Sequence, residues 1–138
     1  MSGGLFRVLN ISGSGLTAEA KRMEVISHNI ANANTIAEDG TPYSRKYATF
    51  RDVYETTSNG RVGAGIKHVS VRNDDTPFAR VYDPESPYSD EEGYMLMPNV
   101  NIMTEMTELL ITNRSYSSNA TAFDTSKDLY KKALELSK

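Results

Sequence analysis

No cysteine occurs in the 138 residues, so disulfides, thiolate metal sites and thiol nucleophiles are excluded together. That absence suits a cytosolic chain and equally one exported without oxidation, so it fixes no compartment. Long hydrophobic runs are missing too, with nothing near the ~18 consecutive apolar residues of a membrane-spanning helix. Asn10, Ser12, Gly13, Ser14 and Gly15 interrupt what would be the apolar core of a secretory signal. Passage out of the cytoplasm is therefore expected to need no cleaved signal peptide. The net charge is −3, and Arg45 and Lys46 belong to no longer basic run. Neither nucleic acid binding nor direct membrane insertion is expected from such a balance.

The residues that carry chemistry are equally sparse. Two histidines, His28 and His68, lie far apart, and neither has a second ligand at helical spacing. Asp83, Glu85, Asp90, Glu91 and Glu92 form an acidic cluster without the alternating ligands and central glycine of a calcium loop, and it reads as solvated. The serines form no G-x-S-x-G elbow. Gly13-Ser14-Gly15 lacks the lysine and second glycine of a phosphate loop. No catalytic residue, metal ligand or cofactor is expected. A small hydrolase built on Asp90 or Glu92 has no motif behind it.

What is present is periodicity at both ends. Leu9, Leu16, Met23 and Ile30 recur every seven residues, accompanied by Leu5, Ala20, Ile26 and Ala33. Toward the other end Ile102, Met106, Leu109, Tyr116, Ala120, Phe123, Tyr130 and Leu134 make an a/d ladder, broken by Asn113 and Lys127. Sustained seven-residue spacing is the signature of helices that bury a narrow seam against another helix. Each segment spans roughly 30 residues, or about 45 Å of helix. Hydrophobic residues make up 38% of the chain, below the roughly 45–50% of an average domain, a figure that includes glycine. The core of the isolated chain is thus expected to be thin.

Helix is expected over residues 5–34, firm only from about Leu16, because Gly13 and Gly15 each cost about 1 kcal/mol in a helix interior. Asp39-Gly40 marks a turn. The period changes at Tyr47, whose alternation through Asp52 predicts a half-buried strand. Asn59-Gly60 predicts a turn, 62–65 a flexible bend, 66–71 a second strand and 78–82 a third. A compact antiparallel sheet or paired hairpins follows, packed on a helix, since three strands are near the minimum for independent stability. Pro84 and Pro87 make 83–98 a loop, after which Asn99 is a plausible cap for the last helix.

The predicted fold class is α+β: two long terminal helices packed as a coiled-coil-like pair, with a small antiparallel β-rich insert between them. Residues 1–36 plus 99–138 form the helical assembly part, and 37–98 the insert and linker loop. Leu16, Met23, Ile30, Met106, Leu109, Tyr116, Phe123 and Tyr130 are expected along the helix pair and its contacts. Asn113 at a seam position would set register. Asn29 and Asn32, poor helix-interior residues, point to a helix end or to bonding between helices.

The segment from Ser27 through His28-Asn29-Ile30-Ala31-Asn32-Ala33-Asn34 to Thr35, preceded by Gly15-Leu16-Thr17-Ala18 and Arg22-Met23, resembles the N-terminal signature of the bacterial flagellar axial proteins. A second match runs from Tyr82-Asp83-Pro84 through Gly93-Tyr94 to Pro98-Asn99-Val100-Asn101. With Glu105-Met106 and Asn113-Arg114-Ser115-Tyr116 it is similar to the proximal-rod members of that family. The resemblance implies an inner helical domain around a central channel, a small outer β-rich domain, and export by the flagellar type III apparatus into the periplasm. It also implies a torque-transmitting rod assembled from this chain, other proximal and distal rod subunits and a rod-to-ring adaptor. Asn29, Asn32, Arg114 and Tyr116 match its motifs and are candidates for junction or subunit contacts. The competing reading is a free-standing helical adaptor or secreted binding module whose two helices form a finished bundle.

Overall fold

The computed structural model describes residues 2–137. Two long helices, α1 (Ser2–Ala31) and α2 (Ile102–Leu136), enclose four strands in chain order: β1 (Lys46–Thr57), β2 (Gly60–Asn73), β3 (Ala79–Tyr82) and β4 (Tyr94–Met97). The helices pack on each other, and the β1–β2 ribbon packs on α1. Asn29 meets Glu105, Gly15 faces Asn119 and Gly13 faces Phe123. As numbers fall along α1 they rise along α2, so the pair is antiparallel. Its insert end holds residues 29–33 and 99–106, and its open end holds the first turns of α1 and the last turns of α2.

Glycine does not delay the start of α1, which is unbroken from Ser2. A Cβ on Gly15 would stand 3.0 Å from Asn119 Nδ2, and one on Gly13 3.7 Å from Phe123 Cε2. These glycines let α2 approach, and tertiary packing outweighs their poor propensity.

The seam on α2 is offset by one residue from the apolar ladder. Glu105, Thr112 and Ser126 are the buried residues of this helix, with Asn119 half-buried between them at the same seven-residue spacing. Leu109, Phe123 and Tyr130 form the second, half-buried line, while Met106, Asn113 and Lys127 are exposed. Asn113 therefore does not set register from within the seam. The polar line tolerates burial because Thr112 Oγ1 donates to Glu108 O at 2.8 Å and Ser126 Oγ to Ala122 O at 2.8 Å. Small side chains with internally satisfied hydroxyls allow a close approach that methionine or lysine would prevent.

Strands β1 and β2 form an antiparallel ribbon in register from Lys46↔Asn73 to Thr57↔Gly60, closed by a turn at Ser58-Asn59, one residue before the expected Asn59-Gly60 pair, whose glycine begins β2. Register shifts lie between Arg51/Asp52 and Val53/Tyr54, leaving Lys67 and Ala64 as extra residues of β2. The segment read as a flexible bend is thus continuous strand with bulges, which increase twist and re-aim side chains. Gly65, at φ +101°, lies against Ser14 of α1. There Ser14 Oγ accepts from Ile66 N–H at 3.0 Å and donates to Ile11 O at 2.8 Å. Gly65→Ala is expected to destabilise the chain by about 2–3 kcal/mol, from left-handed backbone strain and the lost Ser14 hydrogen bond. Urea unfolding beside Gly63→Ala, which meets nothing within 4 Å, checks it; equal losses at both positions would refute the argument.

Strands β3 and β4 form a separate two-stranded sheet, Ala79↔Met97 to Tyr82↔Tyr94. Two hairpins are therefore present rather than one three-stranded sheet. β4 falls within the stretch read as loop, because four residues after an acidic, proline-containing segment carry too weak a period. The cap of α2 is Asn101, whose side chain accepts from Thr104 N–H at 3.2 Å. Asn99, the expected cap, is used elsewhere.

Candidate assembly surface

A buried polar clasp joins the insert to both helices. Asn29 is completely buried, and its amide uses every bonding position. Nδ2 donates to Lys46 O at 2.7 Å and Glu105 Oε2 at 3.0 Å, while Oδ1 accepts from Lys46 N–H at 2.9 Å and the Tyr43 hydroxyl at 3.0 Å. Glu105, also fully buried, receives Arg45 Nε on its other oxygen. Arg45 reaches Asp74 at 3.1 Å and Glu108 at 3.3 Å as well. Its backbone is held from both sides, since its N–H donates to Asn99 Oδ1 at 2.7 Å and its carbonyl accepts from Asp74 N–H at 2.7 Å. Asn99 Nδ2 donates to Thr76 O at 2.8 Å. One arginine thus ties α2, the start of β1 and the segment after β2 together, and through Glu105 it is linked to Asn29 of α1.

The electrostatics follow from this geometry. Burial works to lower the Arg45 pKa, but the hydrogen bond to Glu105 and the charges of Glu105 and Glu108 raise it overall. Thr76, through its hydroxyl and amide, and then Arg45 hold Asp74 below the ordinary carboxylate value. Burial, followed by the Glu105 charge, pushes the Tyr43 phenol up. One guanidinium faces three carboxylates here, and the matched hydrogen-bond donors and acceptors around it fix the geometry.

Beside the clasp is a groove lined by residues including Arg22, Ile26, Lys46 and Ile111. Its cations are engaged: Arg22 stacks on Phe50 at 4.8 Å, Lys46 lies over Tyr43 at 5.8 Å, and Arg45 is in the clasp. Among the described residues no cluster of three His, Asp or Glu side chains is placed to hold a metal ion. The acidic loop is ordered by its own contacts. Arg80 bonds Asp90 at 3.3 Å and Glu92 at 2.8 Å and covers the Tyr94 ring at 4.1 Å. The hydrogen bond of Glu92 to Arg80, with that of Asp90, raises the Arg80 pKa; the amides of Tyr94 and Glu92 depress Asp90.

The sequence-predicted residues separate by exposure. Leu16, Met23, Ile30, Leu109, Phe123 and Tyr130 are half-buried, Asn29 is in the clasp, and half-buried Asn32 donates through Nδ2 to His28 O at 2.8 Å. Met106 and Arg114 are exposed, and Tyr116 lies at 36% exposure. Arg45, Glu105 and Asn99 were missed by sequence reasoning. The available signal was that Asn99 and Glu105 stand in the motif from Pro98 to Met106 that carries the family resemblance. The side chain of His68 lies outside the described part of the structure.

The outer surface is unusually apolar for so small a core. Among the described residues the buried hydrophobic ones are Ala18, Val25, Ile26, Ala33 and Met95, whereas Met103, Leu110, Ile111, Phe6, Leu129 and Leu136 are more than half exposed. Exposed apolar side chains in this number mark contact surfaces. No helix among the described residues is long and apolar enough to cross a membrane.

A long helix pair clasped by buried polar bonding, with much of its apolar surface left exposed and no cluster of metal-ligating side chains among the described residues, fits a structural subunit. The comparisons agree: residues 9–36 match the family model described as Flagella basal body rod protein, and residues 91–136 match Flagellar basal body rod FlgEFG protein C-terminal. The chain is similar over most of its length to the flagellar basal-body rod protein FlgC of Bacillus subtilis, at 37% identity covering 96% of this chain and 98% of the relative. FlgC of Borreliella burgdorferi and of Salmonella typhimurium are each 35% identical, with 96% of this chain and 97% of the relative covered. The chain belongs to the FlgC family of flagellar basal-body rod proteins. It is a structural subunit of the rod and not an enzyme.

Proposed function

We propose that this chain is a subunit of the proximal rod that polymerises helically with itself and with other rod proteins, forming the torque-transmitting shaft around the export channel. The observation that carries this reading is the imbalance, among the described residues, between five buried hydrophobic residues and a long series of exposed ones on the helices. Neighbouring subunits would complete the missing core, which is the logic of coupled folding and binding. Residues 1–36 and 99–138 serve as the inner assembly part, and 37–98 as the outer insert and linker. Leu16, Met23, Ile30, Leu109, Tyr116, Phe123 and Tyr130 hold the helix pair, while Met106, Arg114 and the outer edge of Tyr116 meet neighbours. The partners are proximal and distal rod subunits and the rod-to-ring adaptor. The type III export apparatus delivers the chain to the periplasmic rod without a cleaved signal peptide.

Deletion of the gene tests the proposal through swimming assays and electron microscopy of isolated basal bodies. Cells that keep the membrane ring but lack rod, hook and filament, and recover with the gene supplied in trans, are the expected result. Complete basal bodies in the deletion strain would refute it and favour the free-standing adaptor, a finished monomer with protected termini.

A further inference from the structure

Strand register builds a second polar feature on the β1–β2 ribbon, on the face turned away from the helices. The Phe50 ring lies against the Arg22 guanidinium of α1 at 4.8 Å, so its neighbours Thr49 and Arg51 point outward, as alternation along a strand requires. Thr49 stands directly opposite Ser70. Arg51 lies two positions beyond Thr49 on β1, and Arg72 two positions beyond Ser70 on β2. Because the strands are antiparallel, the two arginines flank the hydroxyl pair from opposite sides. Thr49, Arg51, Ser70 and Arg72, with Phe50, line one concavity of about 270 Å³.

The groups around this concavity are donors without a matching acid. Residues 46–51 and 68–73 contain no aspartate or glutamate. Among the described residues neither Arg51 nor Arg72 forms an ion pair, whereas Arg45 and Arg80 are committed to carboxylates. The ribbon as a whole is basic, with Lys46, Arg51, Arg61, Lys67 and Arg72 against Asp52 and Glu55. Thr49 Oγ1 and Ser70 Oγ are 2.6 Å apart. With Thr49 as the donor of that bond, the Ser70 proton is free to turn into the concavity. One guanidinium fork satisfies a flat carboxylate. Two forks arriving from opposite sides of a hydroxyl suit a tetrahedral oxyanion, whose oxygens project in several directions.

We infer that this concavity binds a phosphate group, with Arg51 and Arg72 as the charged forks and Ser70 as the neutral donor between them. Arginine supplies both charges, and its planar, weakly hydrated fork matches phosphate oxygens where a lysine would act as a point charge. The paired strands set the spacing of the donors before any ligand arrives, which lowers the cost of ordering them. A soluble phosphate and the headgroup of an anionic lipid present the same chemistry to the cradle. The site belongs to the outer face of the insert and stands independently of the rod-subunit reading.

The purified full chain tests the cradle in two arms. In the first, inorganic phosphate is titrated and followed through the NMR shifts of the Thr49, Arg51, Ser70 and Arg72 amides. Saturable shifts are expected, and none with chloride at equal ionic strength. Arg51→Gln and Arg72→Gln should each weaken binding roughly tenfold, the effect of losing one charge-assisted hydrogen bond. Arg61→Gln on the same ribbon, where Arg61 stacks on Tyr54 at 5.1 Å, should leave binding unchanged. Both cradle arginines are exposed, so their variants should keep the fold, which an unaltered urea midpoint checks. The second arm is sedimentation with vesicles of phosphatidylglycerol or of phosphatidylcholine. Retention on the anionic vesicles alone, lost in both arginine variants, assigns the lipid headgroup; saturable phosphate binding without retention assigns a soluble phosphate. Absence of both signals, insensitivity to the arginine variants, or equal weakening by Arg61→Gln would each overturn the site.

Discussion

Replacing Arg45 with alanine is expected to cost about 3–5 kcal/mol of folding stability, because it leaves the buried Glu105 carboxylate without its cation. Glu105 side-chain exposure is 1%, and Arg45 Nε is the donor to its outer oxygen. Among the described residues no other cation bonds that carboxylate. The same substitution also releases Asp74 and Glu108, but these are more exposed and each contributes less. Urea unfolding of the purified chain measures the effect, with Arg45→Lys as the conservative comparison. Lysine keeps the charge and loses the forked geometry, so it should recover part of the stability. A loss below about 1 kcal/mol for Arg45→Ala would show that water reaches Glu105 freely, and the clasp would have no structural role.

Asn29→Asp is nearly isosteric and tests the opposite side of the clasp. It removes the two donors that satisfy Lys46 O and Glu105 Oε2 and places a second carboxylate where Asn29 Nδ2 now lies 3.0 Å from the first. Two carboxylates at that separation cannot both be charged without a large penalty. The expected loss is about 3–4 kcal/mol, the sum of an unpaired carbonyl and the buried like-charge contact. The outcome also distinguishes two roles for a residue of the family motif. A clasp residue should lower the unfolding midpoint of the isolated monomer. A residue reserved for subunit contact should leave the monomer unchanged and impair only rod assembly. An unaltered monomer would refute the internal role.

Much of the architecture is legible in the sequence, and the reasons can be located. The helices are evident because a seven-residue period sustained over about 30 positions suits little besides a helix that buries a seam. The β1–β2 ribbon follows from alternation in Tyr47–Asp52 and from a turn signal at Asn59-Gly60 that falls within one residue of the Ser58-Asn59 turn. The β4 strand is hidden because its partner β3 lies beyond an acidic loop, and short strands take their identity from pairing. The α2 register is misleading for a related cause. Hydrophobicity locates a seam only where burial is driven by apolar area. In this pair closeness favours Thr112, Asn119 and Ser126 opposite glycine-bearing α1, and the apolar Met106 turns outward.

The clasp is the least legible part. Asn29 and Glu105 are separated by 76 positions and Arg45 and Glu105 by 60, and no local period links them. A buried carboxylate looks the same in sequence as a solvated one until the chain that surrounds it is placed. The sequence by itself determined the class: two terminal helices, a β insert, no thiol chemistry and a family motif, all written in local composition and spacing. Only the tertiary structure decided which polar residues lie inside, which helix face pairs and where the apolar surface is left open. Those outcomes depend on how closely backbones approach and on whether every buried donor finds an acceptor, which are properties of the packed chain.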